Sequence, residues 1–295
     1  MRPDTEELEL ERSLITDIAI EKLGVLEASA RPGEEYFYHS IEHTVGVRRR
    51  ARIIGEAFEL SPRELLLVDI AAAFHDVVQH WTFTNTELTG PVMRKRSAGR
   101  NEVASAQCAV EAMHVAPTPV IYSAEEVGLV ASAIMATIPE WCDKYQSVRQ
   151  PFLNRGSHAI VRAVAYADLG EAAMEPEAFA KSGLAIFAED NLDVMRYLAT
   201  VRSANDLHEQ RRTNMRERLL DWLATQPQFA LGRQTIMNEE DLRGLGDVRW
   251  LLKRQVLNRF DDSVALAKEM VRTATTLEFV PLMRLLNPNA FPDDG

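Results

Sequence analysis

The chain has 295 residues, 46% of them hydrophobic, enough to bury a sizeable core in one large domain or in a main domain with an appendage. Its 44 acidic residues against 33 basic give a formal charge of -11, which excludes a broad electrostatic grip on nucleic acid or on an anionic membrane. Cys108 and Cys142 form no metal-spaced or redox pair, no run reaches the ~18 apolar residues of a membrane span, and Met1 to Glu11 is acidic without an apolar core; a soluble, uncleaved, cytoplasmic protein is expected.

From Thr5 to Leu26, Leu8, Leu10, Leu14, Ile15, Ile18 and Leu23 recur roughly every three to four residues, as one buried helical face requires, with an end near Gly24. Arg31-Pro32-Gly33 is a breaker, and a second helix is expected from near Tyr38 to about Phe58. Ser61-Pro62 reads as an N-cap and first-turn proline. The helix that follows, to about Val78, is apolar over so much of its surface that it should be central, and its C-terminal end carries His75-Asp76. Between Gln79 and Arg100 the pattern lapses into a long loop containing Arg94, Lys95, Arg96 and Arg100.

Further helices are expected over Asn101 to Met113, Ala124 to Ile138, Gly156 to Ala173, Pro176 to Ala199 and Asp206 to Ala224, with breakers near Pro227 and Gly232 and a last helical region from about Asp241 to Thr275. No strand-like alternation, internal repeat or low-complexity tract stands out. The expected class is all-α, a helical bundle over residues 1–225 with a helical appendage over 226–295.

His39 and His43 stand four apart on an expected helix, so their side chains can approach a common centre. His75-Asp76 closes a very apolar helix, where a polar pair is costly without partners, and Asp168 stands in the small-residue segment Ala165-Tyr166-Ala167-Asp168. A divalent cation is the economical partner for such a set. Two imidazoles and two carboxylates suit Mn, Fe or Zn, and Mg where water completes the shell.

Tyr38-His39-Ser40-Ile41-Glu42-His43, then Phe74-His75-Asp76, then Asp168, in that order, resemble the HD-domain superfamily of metal-dependent phosphohydrolases. The branch it resembles opens with Tyr-His-Asn-x-x-His; here Ser40 stands in place of the Asn. Asn101-Glu102-Val103-Ala104-Ser105-Ala106 is similar to the Asn-Glu-x-x-Ser-Ala segment of small bacterial members, so the likeness covers about residues 36–170. The resemblance implies a helical bundle, metal ligands His43, His75, Asp76 and Asp168, with Asp76 able to bridge a second ion. It also implies His39 as general acid and Glu102 orienting water or His39. The implied reaction is hydrolysis of a phosphoester, a nucleotide or related phosphorylated metabolite, by metal-activated water.

Arg94, Lys95, Arg96 and Arg100 lie between the His-Asp pair and Glu102 in sequence and could reach a substrate phosphate, though such a cluster is more often a solvated loop. Glu102 reads equally well as a helix-entry carboxylate at the N-terminal dipole. His39-Ser40-Ile41-Glu42-His43 also fits the His-x-x-Glu-His pattern of inverted zinc peptidases, with Glu125 or Glu126 as a third ligand, but that reading leaves His75-Asp76 and Asp168 unused. A third reading is a non-catalytic scaffold binding a nucleotide or partner protein. The expected partner is a small phosphoester; a homo-oligomer is compatible with the sequence, which does not set the oligomeric state.

Overall fold

The computed structural model describes residues 5–84, 93–118, 120–243 and 245–294. The chain is all-α, with two small hairpins inserted among its helices. Helix α1 (Thr5–Ser29) leads through the Pro32-Gly33 turn to α2 (Ile41–Ala57) and α3 (Pro62–Phe74). Strands β1 (Trp81–Thr84) and β2 (Met93–Arg96) pair antiparallel with Trp81 opposite Arg96. After α4 (Arg100–Val115) and α5 (Ala124–Met135) comes a second hairpin, β3 (Glu140–Cys142) with β4 (Ser147–Arg149). There follow α6 (Ala159–Asp168), α7 (Glu171–Met174), α8 (Pro176–Asp190), α9 (Leu192–Thr200), α10 (Glu209–Ile236), α11 (Asp247–Leu251), α12 (Phe260–Thr276) and α13 (Phe279–Met283).

The centre of the bundle is α3. Ser61 caps it, its Oγ accepting from Glu64 N while Glu64 returns a carboxylate oxygen to Ser61 N at 2.8 Å, and Pro62 fills a position whose N–H would be unpaired anyway. From Leu66 to Phe74 every residue is buried, packed among α1, α2, α5 and α6. Burial on all sides explains why the sequence shows little amphipathic bias there. The helix ends at Phe74, so His75 and Asp76 occupy the turn after it rather than its last turn.

Three sequence expectations shift. Helix α2 begins at Ile41, not near Tyr38: Ser40 is its N-cap, with Oγ 3.3 Å from His43 N, which leaves His39 outside the helix. Serine is among the favoured N-cap residues, as asparagine is. The expected loop from 79 to 100 contains the first hairpin; β1, Trp-Thr-Phe-Thr, alternates over only four residues, and β2, Met-Arg-Lys-Arg, is mostly cationic, so the pair is too short to stand out as strands. Finally, Pro227 and Gly232 do not interrupt α10, which runs through both. A Cβ on Gly232 would lie 2.2 Å from Tyr145 O and 2.6 Å from Ser147 Cβ, so this glycine serves the close approach of the β3–β4 hairpin.

The boundary expected at residue 225 falls inside α10. The C-terminal segment packs on the rest of the chain: Arg259 N donates to Ala173 O at 2.9 Å and Ser263 Oγ to Ala172 O at 2.8 Å. Ala230, Leu242, Leu252 and Phe260 join the apolar cluster that holds α3. A second cluster gathers Phe187, Met195, Leu219, Leu223 and the C-terminal Leu282 and Phe291. No described helix is long and apolar enough to cross a membrane.

A buried histidine and carboxylate centre

Three separate pieces of chain converge at the end of α3. His43 comes from the first turn of α2, His75 and Asp76 from the turn that ends α3, and Asp168 is the last residue of α6. His43 Nε2 lies 3.3 Å from His75 Nε2, and each of these nitrogens lies 3.5 Å from Asp168 Oδ1. Asp76 Oδ2 is 3.1 Å from His75 Nε2 and 3.7 Å from His43 Nε2. Ligands about 2.1 Å from a shared ion stand roughly 3.0–3.5 Å apart at tetrahedral or octahedral angles. His43, His75 and Asp168 could therefore hold a metal ion, their donor atoms all lying within 4.8 Å of one another.

The surroundings aim these donors. His75 Nδ1 donates to Ala72 O at 2.8 Å, which places its lone pair on Nε2, toward the centre. His43 Nδ1 is buried without a hydrogen bond, 3.9 Å from Glu171 Oε1, and the Tyr38 ring lies against His43 with centroids 4.3 Å apart. Glu171 in turn faces Arg50 at 3.5 Å, a buried arginine whose Nε donates to Ala167 O at 2.8 Å and whose Nη1 pairs with Glu175 at 2.9 Å.

Charge is concentrated here. Burial alone would push the His75 pKa down, but Asp76 and Asp168 outweigh it and lift it to about 10; His43 is raised in the same way by Asp168 and Glu171 against burial. Burial would raise both aspartates, yet Arg96 and His75 hold Asp76 well below the usual carboxylate range, as His43 and His75 do Asp168. Burial, then Glu171 and Asp168, keep the Tyr38 phenol protonated far above its ordinary range. Without an ion the centre would balance its carboxylates with protons, a charge balance that a divalent cation can supply instead.

His39 stands beside this group, its ring centroid 6.3 Å from that of His43 and 5.9 Å from Trp81. Its Nδ1 is hydrogen-bonded to Glu189 Oε1, while Glu189 Oε2 accepts from the Tyr38 and His39 backbone N–H groups at 3.0 and 3.1 Å. Sequence reasoning missed Glu189. Its signal was a carboxylate between Phe187-Ala188 and Leu192, on a helix whose apolar stripe it interrupts. Glu171 and Arg50 were missed for the same cause: their burial depends on where α6 ends and α7 begins.

Glu102 is fully buried and serves two ends. Its Oε2 accepts from Gly99 N at 2.5 Å at the start of α4, and its Oε1 pairs with Arg96, which also pairs with Asp76 and donates to Gln79 Oε1 at 2.9 Å. The helix-entry role is thus present, and Arg96 links Glu102 to Asp76. Of the other loop cations, Arg94 is buried and spent on the carbonyls of Glu189, Glu34 and Glu35 at 2.6, 3.1 and 2.6 Å, with its guanidinium 4.4 Å from the Trp81 ring. It ties the hairpin to the 34–35 segment and to the end of α8. Lys95 and Arg100 are exposed.

The peptidase pattern gains nothing from the geometry. Glu42 is exposed, and Glu126 is engaged by Arg63 at 2.7 Å and caps α5; neither it nor Glu125 belongs to the histidine and aspartate group. Beside the group lies a cavity of about 300 Å3 walled by Tyr38, Ser40, His43, Glu171, Glu175 and Lys181, and a smaller apolar one of about 80 Å3 reaches Asp168 past Phe179, Trp222 and Phe229. Comparison of the whole chain with protein-family models, with curated proteins and with solved structures finds no match in any of the three.

Proposed function

We propose that this chain is a metal-dependent phosphohydrolase of the HD-domain kind, acting on a phosphoester such as a nucleotide or a related phosphorylated metabolite. The observation that carries the reading is the convergence of His43 Nε2, His75 Nε2 and an Asp168 oxygen within 4.8 Å, next to a cavity. The motifs that resemble the superfamily add the same residues in the same order. These three residues and Asp76 would hold a divalent ion of the Mn, Fe, Zn or Mg kind, which would supply Lewis acidity and lower the pKa of a bound water.

The chain's own residues do the rest. With Nδ1–H committed to Ala72 O, His75 would give up its Nε2 proton to offer that nitrogen to the ion. His39, with Nδ1–H held by Glu189, keeps Nε2 for the proton that passes to the leaving ester oxygen as the phosphorus–oxygen bond breaks. Arg96 fixes Asp76 and is itself fixed by Glu102. Exposed Lys95 and Arg100 offer positive charge to an arriving phosphate.

The test is elemental analysis of protein purified without added metal, run beside His43→Ala and Asp168→Ala, followed by a screen of phosphomonoesters, cyclic nucleotides and other diesters. Near-stoichiometric metal lost in both variants, with metal-dependent release of phosphate or of a monoester, is the expected result. A chain that takes up none of the four metals and turns over no phosphoester is a binding scaffold instead.

A further inference from the structure

A further cavity, of about 330 Å3, shares none of its lining with the histidine and carboxylate centre. It lies where the chain leaves β4, passes through Gln150-Pro151 and the 154–157 turn into α6, and meets the 239–243 segment. In a chain of net charge -11, four arginines line it: Arg149, Arg155, Arg162 and Arg243.

Two of the four build the site. Arg162, 3% exposed, gives its Nε to Ser157 O at 3.1 Å and Nη2 to the carbonyls of Asn154 and Arg155 at 2.9 Å each, clamping the turn that carries Arg155. Arg149 pairs with Glu140 across the second hairpin, Nε to Oε1 at 2.8 Å. Arg155 and Arg243 are exposed, and no acidic side chain among the described residues pairs with either, so their guanidinium groups are available to an anion.

The wall also holds an unmet acceptor. Gln150 is 4% exposed; its Nε2 donates to Ala165 O at 2.8 Å, which fixes the amide's orientation, and its Oε1 is buried with no hydrogen-bond partner among the described residues. A buried amide oxygen left unpaired is destabilising, so it favours an occupant that brings a donor. Glu239, whose carboxylate lies 3.3 Å from the Tyr145 hydroxyl, adds a second acceptor to the same wall. Cations at the mouth and acceptors in the wall select a ligand that is anionic at one end and donor-bearing at the other. Guanidinium forks match the oxygens of phosphate.

We propose that this cavity binds a small phosphate ester that also carries a hydroxyl or amino group, with Arg155 and Arg243 on the phosphate and Gln150 Oε1 on the donor. The test is calorimetric titration of the full chain with two probes, glycerol phosphate, which has free hydroxyls, and methyl phosphate, which has none. The variants are Arg155→Ala/Arg243→Ala, Gln150→Met, and His43→Ala as a control at the other centre. Glycerol phosphate is expected to bind saturably and tighter than methyl phosphate, and to bind equally well to His43→Ala. In the double arginine variant, whose exposed positions leave the fold intact, affinity should fall roughly tenfold or more. Gln150→Met should erase the preference between the probes. No saturable binding at millimolar concentration, or binding indifferent to loss of both arginines, overturns the proposal. Binding that vanishes in His43→Ala overturns it too, by assigning the phosphate to the metal centre; conversely, a chain that hydrolyses nothing could still bind glycerol phosphate here.

Discussion

Arg96 offers the sharpest test of how the centre is held together. Its side chain is 14% exposed and compensates two buried carboxylates at once, Asp76 and Glu102, which are 5% and 0% exposed. Arg96→Met keeps most of the volume but strands both charges. Removing one partner of a buried pair costs about 3–5 kcal/mol. Part is recovered here, since Asp76 keeps His75 Nε2 at 3.1 Å and Glu102 keeps Gly99 N at 2.5 Å, so the lower end applies. With roughly 2.1 cal/mol/K of unfolding entropy per residue, a loss of about 3 kcal/mol lowers the melting temperature of this 295-residue chain by about 5 °C. Thermal unfolding followed by circular dichroism reads this directly. Adding Glu102→Gln to Arg96→Met removes one stranded charge, so the double variant should lose at least about 1 kcal/mol less than the sum of the singles. A melting temperature within a degree of wild type, or strictly additive losses, would refute the idea that these three residues act as a charge-balanced unit.

Because Asp76 and Asp168 raise His75 to about 10 in the ion-free centre, metal binding should expel protons, and apparent affinity should climb between pH 6 and 8; titrations in buffers of different ionisation enthalpy give the proton count, and a pH-independent affinity contradicts the charge balance described. Burial and the adjacent Glu189 push Asp190 up to about 6, above its ordinary 3.8, so its contribution to stability is full below about pH 4 and lost as pH rises through 6. Asp190→Asn should therefore stabilise the protein at pH 7 by on the order of 2 kcal/mol and by almost nothing at pH 4, measured by urea unfolding at both. Gly232→Ala places a methyl 2.2 Å from Tyr145 O and should cost at least about 2 kcal/mol, where an ordinary glycine in a helix would gain from alanine; a stabilised variant means that the hairpin is free to lift away. Once a substrate is known, Glu189→Gln should lower kcat by roughly ten- to a hundredfold with little change in KM and move the alkaline limb of the pH profile, whereas an unchanged profile would mean that Glu189 only tethers the chain.

The helices and the histidine and aspartate positions were legible because each rests on a local rule. The capping of α3 by Ser61 and Glu64 is written in four residues, and its central place follows from its unbroken apolar run. The convergence of His43, His75 and Asp168 could be anticipated since isolated polar groups in apolar helices need partners. What escaped depends on contacts between distant segments. Gly232 looks like a breaker until the second hairpin is laid against it, and Arg94 looks like a substrate clamp until three carbonyls from Glu34, Glu35 and Glu189 claim it. Likewise, His39 seems to share a helix with His43 until Ser40 proves to be the cap between them.

The length of α10 ties the molecule's two apolar clusters into one cooperative unit. A single 28-residue helix gives Ala230 to one cluster and Met215, Leu219 and Leu223 to the other, and α8 straddles the same seam with Phe179 on one side and Phe187 on the other. Amide protons in the middle of α10 should therefore exchange with solvent only when both clusters come apart, at the free energy of global unfolding. Glu189, two residues beyond Phe187, sits on that seam. The C-terminal Leu282 and Phe291 share the cluster of Phe187, two residues before the carboxylate that holds His39.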